Sequence, residues 1–463
     1  MNTGLLTVVC RVVLGVACLA IPLASCAPDV ERPPHLILIS LDTLNRSALR
    51  AYDERAVRLP AIDAFCDESV RFERAYSSAS WTLPAHGSLF TGLYPDRHGA
   101  TDRRVTLSAG AETLAEGLAR RGYQTAGFTG GGYLDAEYGM ARGFEYYESF
   151  ERDKSGPSET GAQLVQRVRS FLKEGRNSSR PLFLFLHSYA VHNYYDVRPE
   201  IADSFPGVDF LPRKNYIDCA IGRGPCPPGA WRQMRRLYHA ELRDFDRAFA
   251  DLQSELIAAG IWDEAVVVFM TDHGEGFEPE RGRKHHGGRL HGDQLHIPLL
   301  VRLPHSGPGV IEAPVSIVDV LPTLLDFAGG GSDAGIDGRS FAPLLGRAGN
   351  YESRPVFAME HYFEWREGRR FLPGRISELP VASAVIDEDD WYIRKRSGPE
   401  ELYDTESDPG QHRDVLGQGT GLEALRALVS ERRRPRTQTP LRGESPALEK
   451  NLEDLGYVGE EDE

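Results

Sequence analysis

The chain has 463 residues, of which 41% are hydrophobic and 26% charged, so it is long enough for one large globular α/β domain with a smaller appendage. Its formal net charge of −15 argues against a nucleic-acid-binding protein, which normally carries a basic patch, and we expect no nucleic-acid partner. The negative net charge does not exclude small anionic substrates, because the local charge at a site can be opposite to the net charge of the protein.

The N-terminus is predicted to be a targeting segment. Arg11 precedes an apolar run that is too short to span a bilayer comfortably and that ends in LASC. Small residues before a cysteine look like a bacterial lipoprotein signal, so we expect removal of residues 1–25 and lipidation of Cys26, with residues 26–34 as a tether. A plain signal peptide and an uncleaved anchor are the alternatives. All three place the protein outside the cytoplasm, in the periplasm or at the cell surface.

Two cysteines flank a short loop that contains glycine and proline. In an oxidising compartment Cys219 and Cys226 are expected to form a local disulfide, with two free thiols as the alternative. A pair of this spacing without further ligands is weak evidence for zinc.

The first predicted strand carries a carboxylate at its end. HLILISLDT is an apolar run rich in β-branched residues, typical of a buried parallel strand, and Asp42 follows it. Open α/β sheets bind ligands at the carboxyl ends of their strands. Residues 59–76 then predict a helix and a second strand that leads into Ser77.

Residues 77–99, SSASWTLPAHGSLFTGLYPDRHG, predict a short helix closed by Gly92. Pro84 suits the first turn, and Thr82 lies near the N-cap. The N-terminus of a helix favours an anion through its N–H groups and its dipole. A hydroxyl at this position is suited to attack a sulfuryl or phosphoryl group, and an ordinary capping threonine is the alternative.

The middle of the chain alternates predicted helices and strands. Residues 112–129 indicate an amphipathic helix and a strand, and residues 160–174 a further helix. PLFLFLH is a buried strand that ends at His187, with His192 five residues later.

A long helix and a second carboxylate-bearing strand come next. Residues 199–230 are rich in proline and glycine and indicate a loop, and residues 231–260 a long helix with an apolar stripe. The apolar run AVVVFM then ends in a polar group that begins with Asp272 and His273, where ligands are again expected.

The C-terminal part predicts a strand and a helix, followed by a region of shorter elements. IPLLVRL is a buried strand, and residues 315–329 form a helix that ends at Gly329. Beyond about residue 350, VFAME, VASAVI and WYIRKR indicate short strands that pair antiparallel. The sequence ends in an acidic tail.

These motifs, in this order, resemble the sulfatase family of the alkaline phosphatase superfamily. The family's signature, C-x-P-S-R followed by a small-residue helix, is matched in its frame by Leu89, Thr91, Gly92, Pro95, His98 and Gly99. Thr82 stands where the family has its modified cysteine, and His86 where it has an arginine. The D-T-L at Asp42, the D-H-G-E at Asp272 and the terminal E-L-Y-D segment are also similar to family segments.

The resemblance implies an α/β fold with a doubly wound, mostly parallel sheet and a small C-terminal antiparallel sheet subdomain. Alternation of apolar strands and amphipathic helices independently favours that class. The expected divisions are a signal peptide at 1–25, the tether at 26–34, a catalytic domain at 35–348, a C-terminal subdomain at 349–455 and the acidic tail at 456–463.

The resemblance also implies one divalent metal held by Asp42, Asp272 and His273, with Thr82 as the reactive ligand. Carboxylates alone suit Ca²⁺ or Mg²⁺, whereas the imidazole tilts the choice towards Mn²⁺ or Zn²⁺. Thr43 replaces a second carboxylate of the family. A second, zinc-type site is not expected, because Ala190 removes a candidate carboxylate.

Three histidines complete the expected catalytic set. His192 and His286 fall on family histidine positions and are expected to contact the ester oxygens, one of them protonating the leaving group, since the pKa of histidine lies near neutral pH. His86 is the third.

Three functions are consistent with these residues. The first is a metal-dependent hydrolase of sulfate, phosphate or phosphonate esters, whose substrate is an anionic ester, a glycan or lipid derivative among the candidates. The second is a transferase that moves a phosphoryl-linked group onto an envelope glycan or lipid. The third is an inactive lipoprotein that keeps the fold for binding, motivated by the replaced cysteine and arginine.

Overall fold

Apolar strands at the centre of the fold carry the site residues at their ends. The computed structural model describes residues 33–150, 161–331, 335–366, 369–371, 379–417, 421–432, 439–441 and 445–454. The predicted signal segment, Cys26 and the acidic tail lie outside these residues. No helix among the residues described is long and apolar enough to cross a membrane.

Within the described residues the strands are β1 (His35–Leu41), β2 (Val70–Tyr76), β3 (Val105–Thr106), β4 (Gln124–Thr129), β5 (Tyr146–Ser149), β6 (Leu182–Ser188), β7 (Ala265–Met270), β8 (Gly276–Glu278), β9 (Arg283–His285), β10 (His296–Arg302), β11 (Gly309–Ile311), β12 (Val315–Ser316), β13 (Val356–Glu360), β14 (Glu364–Arg366), β15 (Arg369–Phe371), β16 (Ala382–Ile386), β17 (Asp390–Lys395), β18 (Glu401–Asp404) and β19 (Thr439–Pro440).

The α-helices of the same residues are α1 (Pro60–Asp67), α2 (Thr82–Thr91), α3 (Pro95–His98), α4 (Leu114–Arg120), α5 (Gly161–Glu174), α6 (Pro199–Ala202), α7 (Arg213–Ile221), α8 (Ala230–Ala258), α9 (Gly292–Leu295), α10 (Val320–Phe327), α11 (Leu422–Arg432) and α12 (Pro446–Asp454). Short 3₁₀ helices lie at Arg46–Ala48, Gly132–Leu134, Ala136–Tyr138, Trp262–Glu264, Pro279–Arg281, Ile317–Asp319 and Ala342–Leu345.

The large sheet has the strand order β11-β2-β10-β7-β1-β6-β4-β5, with β12 also paired to β2. Strands β7, β1, β6, β4 and β5 pair in parallel. Strand β10 runs antiparallel to both β7 and β2, so β2 points the same way as β7. The carboxyl ends of β1, β2, β6 and β7 therefore meet at one edge of the sheet.

Both faces of this sheet are buried. Leu36 and Leu38 of β1 pack into the apolar cluster that contains α2 and α10, whereas Ile37 and Ile39 pack into the cluster that contains α8. Alternate side chains of a strand point to opposite faces, so a continuous apolar run is needed where helices cover both. This confirms the expected doubly wound α/β class.

The C-terminal strands form a separate sheet of four, in the order β13-β16-β17-β18, with every pairing antiparallel. The antiparallel pairing expected for these segments is confirmed. The chain from Pro33 onward forms one compact unit, and the predicted boundary between residues 348 and 349 stays a prediction.

One expectation needs correction. Residues 199–230 contain α6 and α7 rather than loop alone, because Pro199 begins one helix and Gly222, in the left-handed conformation, ends the other. Thr82 is the first residue of α2, directly after the N-cap Trp81, so it lies near the N-cap as expected. Cys219 and Cys226 are joined by a disulfide.

Candidate active site

The predicted site residues lie at the edge of the sheet where the carboxyl ends of the parallel strands meet. Asp42 follows β1, Asp272 follows β7 by two residues, and His187 is the penultimate residue of β6. The register aligns Ser40 of β1 with both Met270 and His187, so the residues that follow are brought side by side. The N–H of Asp42 donates to the carbonyl of Ser188 at 3.1 Å, which carries the pairing one residue further.

Helix α2 delivers Thr82 to this edge. Its N-cap, Trp81, is extended and makes no side-chain capping bond, and Gly92 ends the helix with a φ of 64°. Every residue of α2 is buried. The Thr82 hydroxyl donates to Oδ2 of Asp42 at 3.1 Å and lies 3.4 Å from Nε2 of His273. The hydroxyl of Thr82 therefore faces the carboxylate cluster instead of capping the helix.

The indole of Trp81 anchors the start of α2. It packs edge-on against Tyr133 and Phe363, and its ring is tilted over Tyr362 at a centroid distance of 5.3 Å. Tyr133 and Trp81 are fully buried. This aromatic packing fixes the helix terminus and with it the position of the neighbouring Thr82.

Asp42, Asp272 and His273 form a group that fits a divalent cation. All three are fully buried, and one ligand atom from each lies within 4.8 Å of the other two. Oδ1 of Asp42 and Oδ2 of Asp272 have no hydrogen-bond partner among the described residues. A buried carboxylate oxygen without such a partner is costly, and a cation between the two carboxylates removes that cost.

The electrostatics of this group are dominated by burial. Burial raises the pKa of Asp42 to about 6, although His273 and the Thr82 hydroxyl oppose that shift. Burial and the charge of Asp42 together raise the pKa of Asp272. For His273, burial disfavours the charged ring, but Asp272 and Asp42 outweigh burial and raise its pKa.

The turn after β1 is held by a buried tyrosine. Tyr238 donates its hydroxyl hydrogen to the carbonyl of Thr43 at 2.9 Å and accepts from the N–H of Asn45 at 2.8 Å. Thr43 adopts a φ of 58°, unusual for a β-branched residue, and its own hydroxyl donates to the carbonyl of Asp42 at 2.7 Å. Thr43 thus supplies no ligand to the group, and it constrains Asp42.

His86 lies one turn after Thr82, on the side of α2 that faces the sheet. Its Nδ1 is 3.0 Å from the carbonyl of Thr82 and 3.5 Å from Oδ2 of Asp272, and its Nε2 is 3.1 Å from Oγ of Ser40. Burial lowers the pKa of His86 to about 3, so the ring is neutral. The position that resembles the family's arginine therefore carries no fixed positive charge here.

Two histidines of the β6 region lie at the site, one of them in contact with Asp42. Nε2 of His187 is 3.2 Å from Oδ2 of Asp42, so His187 shares this oxygen with Thr82. His192 is buried, with its Nδ1 3.1 Å from Oδ1 of Asn193 and its ring 4.9 Å from that of His286. Burial lowers the pKa of both rings to about 3, below the near-neutral value expected for a proton donor.

A second cluster joins Glu275, His285 and His286. Nδ1 of His285 is 3.0 Å from Oε1 of Glu275, and Nδ1 of His286 is 2.6 Å from Oε2. The ring of His286 lies 4.8 Å from that of His273, which places this cluster next to the first group. Of these three residues, only His286 was expected in the catalytic set from the sequence. The tandem histidines and the D-H-G-E motif were the signals available.

A buried threonine hydroxyl at the start of a helix, beside carboxylates at the carboxyl ends of the parallel strands, is an arrangement suited to the hydrolysis of anionic esters. The Sulfatase family model matches residues 34–330, and the chain belongs to the Sulfatase family. It is an ester hydrolase of the sulfuric and phosphoric ester class.

The relatives include sulfatases and phosphonate ester hydrolases. The chain is 24% identical to an ulvan-active sulfatase of Formosa agariphila, over 84% of this chain and 78% of that protein. It is 25% identical to arylsulfatase A of Homo sapiens, over 91% and 93% of the two chains. A phosphonate monoester hydrolase of Agrobacterium radiobacter shares the fold, with a TM-score of 0.67, 19% identity and coverage of 86% and 94%.

Proposed function

We propose that this protein hydrolyses a phosphodiester or phosphonate ester, with Thr82 as the nucleophile and a divalent metal held by Asp42, Asp272 and His273. The observation that carries the proposal is the Thr82 hydroxyl, fully buried at the start of α2 and 3.1 Å from Asp42 Oδ2. A cation bound there lowers the pKa of a ligated hydroxyl and stabilises charge on the ester oxygens. Side chains of the protein itself carry out the remaining steps.

Thr82 Oγ1 attacks phosphorus, forms an ester bond to the protein and expels the alcohol of the substrate. Asp42 Oδ2 holds the hydroxyl by its hydrogen bond, and His187 orients the same carboxylate from the other side. Water then attacks phosphorus and releases Thr82. The N-terminus of α2 contributes its dipole to the binding of the anion.

His86 and His192 are given different roles in this proposal. Both ring nitrogens of His86 have partners in the protein, so we assign it to the orientation of Asp272 and α2. We assign His192 to the leaving group, where an adjacent anionic ester raises the pKa of its buried ring and allows it to give up a proton. His192 is neutral before the ester binds.

The chemistry of threonine supports a phosphoryl over a sulfuryl substrate. The family's cysteine becomes formylglycine, an aldehyde whose hydrate expels sulfate by elimination. Thr82, whose β-carbon carries a methyl group, cannot become that aldehyde. Its ester is cleared only by attack of water on sulfur or phosphorus, and phosphoryl esters are suited to such in-line displacement. Because His86 is neutral, it also supplies no fixed positive charge that would bind a sulfate.

A panel of esters tests this preference. The purified, metal-loaded protein is assayed in parallel with an aryl sulfate, an aryl phosphate monoester, a phosphodiester and an aryl phosphonate ester that share one leaving group. We expect kcat/KM to be highest for the phosphodiester or the phosphonate. Faster turnover of the aryl sulfate than of any phosphoryl ester would overturn the preference.

We further propose that the protein is exported and anchored to a membrane by lipid on Cys26. The proposal rests on the apolar run that ends in LASC. A surface location suits an enzyme whose anionic ester is part of an envelope glycan or lipid.

A further inference from the structure

We infer that Glu275, His285 and His286 form a second metal site, suited to zinc, beside the nucleophile. Glu275 follows Asp272 by three residues, and the β8–β9 hairpin returns His285 and His286 to the same place. This inference goes beyond the proposed function, which needs only the metal of Asp42, Asp272 and His273. It also departs from the sequence-based expectation, because Glu275 supplies a carboxylate where Ala190 lacks one.

The ligand atoms already converge. One atom from each of the three residues lies within 4.8 Å of the others, and their exposure is 1%, 6% and 0%. The two nitrogen–oxygen distances are 3.0 and 2.6 Å. Ligand atoms at about 2.0–2.2 Å from a tetrahedral zinc lie roughly 3.3–3.6 Å apart. A spreading of under about 1 Å therefore converts the observed triad into zinc ligands.

The backbone is shaped to aim both imidazoles at one carboxylate. Consecutive side chains of an extended strand point to opposite faces. His285 ends β9 with a φ of 53°, in the left-handed region, and the two rings come within 4.0 Å of each other. Gly287 follows with a φ of 77°, and a Cβ there would lie 2.6 Å from the Phe363 ring. Such unfavourable backbone geometry concentrates at functional sites.

The donor set is one that zinc prefers. Two imidazoles and one carboxylate are the protein ligands of a common class of catalytic zinc site, which leaves a fourth position for substrate or water. Outer contacts orient these ligands. Tyr194 donates its hydroxyl to Oε1 of Glu275 at 3.3 Å, and Gln294 donates its amide to the carbonyl of His285 at 2.9 Å.

The position of the triad gives this metal its role. His286 packs between His273, at 4.8 Å, and His192, at 4.9 Å, measured between ring centroids. Paired metals in phosphoryl-transfer enzymes stabilise the attacking and the leaving oxygens of one displacement. The Glu275 site lies on the His192 side, where the leaving group is proposed to depart. His286 is accordingly a metal ligand rather than the proton donor suggested by its sequence.

Metal stoichiometry tests this site without relying on activity. The full-length protein is stripped with a chelator and titrated with Co²⁺ and with Zn²⁺, and bound metal is measured by elemental analysis and by the visible absorption of Co²⁺. We expect two metals per wild-type chain and one in His285→Ala or in Asp42→Ala, with none in the double variant. Glu275→Gln, nearly isosteric, provides a second test of the site if His285→Ala folds poorly.

His291→Ala is the matched control. His291 is another buried histidine with a carboxylate partner, 2.9 Å from Glu401, and it lies outside both ligand groups. This variant is expected to keep two metals. A wild-type protein that binds one metal, lost in Asp42→Ala but kept in His285→Ala, would overturn the second site and leave the proposed function standing. A wild-type protein that binds one metal, kept in Asp42→Ala but lost in His285→Ala, would count against the proposed function instead.

Discussion

Replacing Thr82 by alanine should abolish ester hydrolysis while the metal stays bound. Thr82 supplies the attacking oxygen in the proposed reaction, so its loss removes the covalent route. We expect kcat to fall at least about 10³-fold, which is about 4 kcal/mol in the activation barrier. The Asp42 carboxylate keeps His187 as a partner at 3.2 Å, so the ligand group is preserved.

The cost of this substitution in stability is small by comparison. It removes the hydrogen bonds of the buried Thr82 hydroxyl, including those to Asp42 and His273, and one buried methyl group. Together these contribute about 2 kcal/mol to the free energy of unfolding, so the variant should fold.

Initial rates at saturating phosphonate ester, bound metal and the thermal midpoint are measured on the same preparations. Thr82→Ser is the matched control, because it keeps the hydroxyl and loses the methyl group. It should retain activity to within about tenfold. A Thr82→Ala variant with more than a tenth of the wild-type rate would refute the assignment of Thr82 as the nucleophile. A variant that lost its metal would show that metal binding by Asp42, Asp272 and His273 depends on Thr82.

Three further predictions concern other parts of the chain. His192→Ala should slow esters with poor leaving groups more than those with good ones, whereas equal losses in a leaving-group series would assign His192 to binding. Burial alone would raise the pKa of Glu401, but hydrogen bonds from His291 and Lys395 lower it to about 2. This carboxylate therefore stabilises the fold above its ordinary pKa and loses that contribution as the pH falls from about 4.5 towards 2. Glu401→Gln should cost about 1–3 kcal/mol at pH 7 and progressively less in chemical denaturation on acidification, and a pH-independent cost would contradict the assignment. Cys26→Ala should release the protein from membranes in cell fractionation, and retention with an uncleaved N-terminus would refute lipidation.

Much of the fold was predictable because its central strands stand out in the sequence as apolar segments. β1, β6 and β7 are continuous apolar runs, as burial on both faces requires. The direction of β10 was not predictable, since an apolar run such as His296–Arg302 is the same in either direction. Its antiparallel pairing depends on how α9 brings the chain back to the sheet edge.

The Asp42 group could be predicted because each member ends a strand or begins a helix. Asp42, Asp272 and Thr82 lie where the topology must bring them together. The Glu275 cluster could not, because it depends on a hairpin and on the left-handed conformation of His285, which no local pattern specifies. The lowered pKa of His192 also could not be predicted from the sequence, because the shift comes from burial in the folded protein.

The central claim is that Thr82 carries the substrate's phosphorus during turnover, and trapping that ester tests it most directly. The metal-loaded protein is mixed with an aryl phosphonate ester, quenched in acid within a few turnovers and digested for peptide mass spectrometry. We expect the peptide containing Thr82 to gain the phosphonyl group of the substrate, and Thr82→Ala to gain none. Rapid turnover with the label absent from the wild-type protein, or found on another residue, would contradict it.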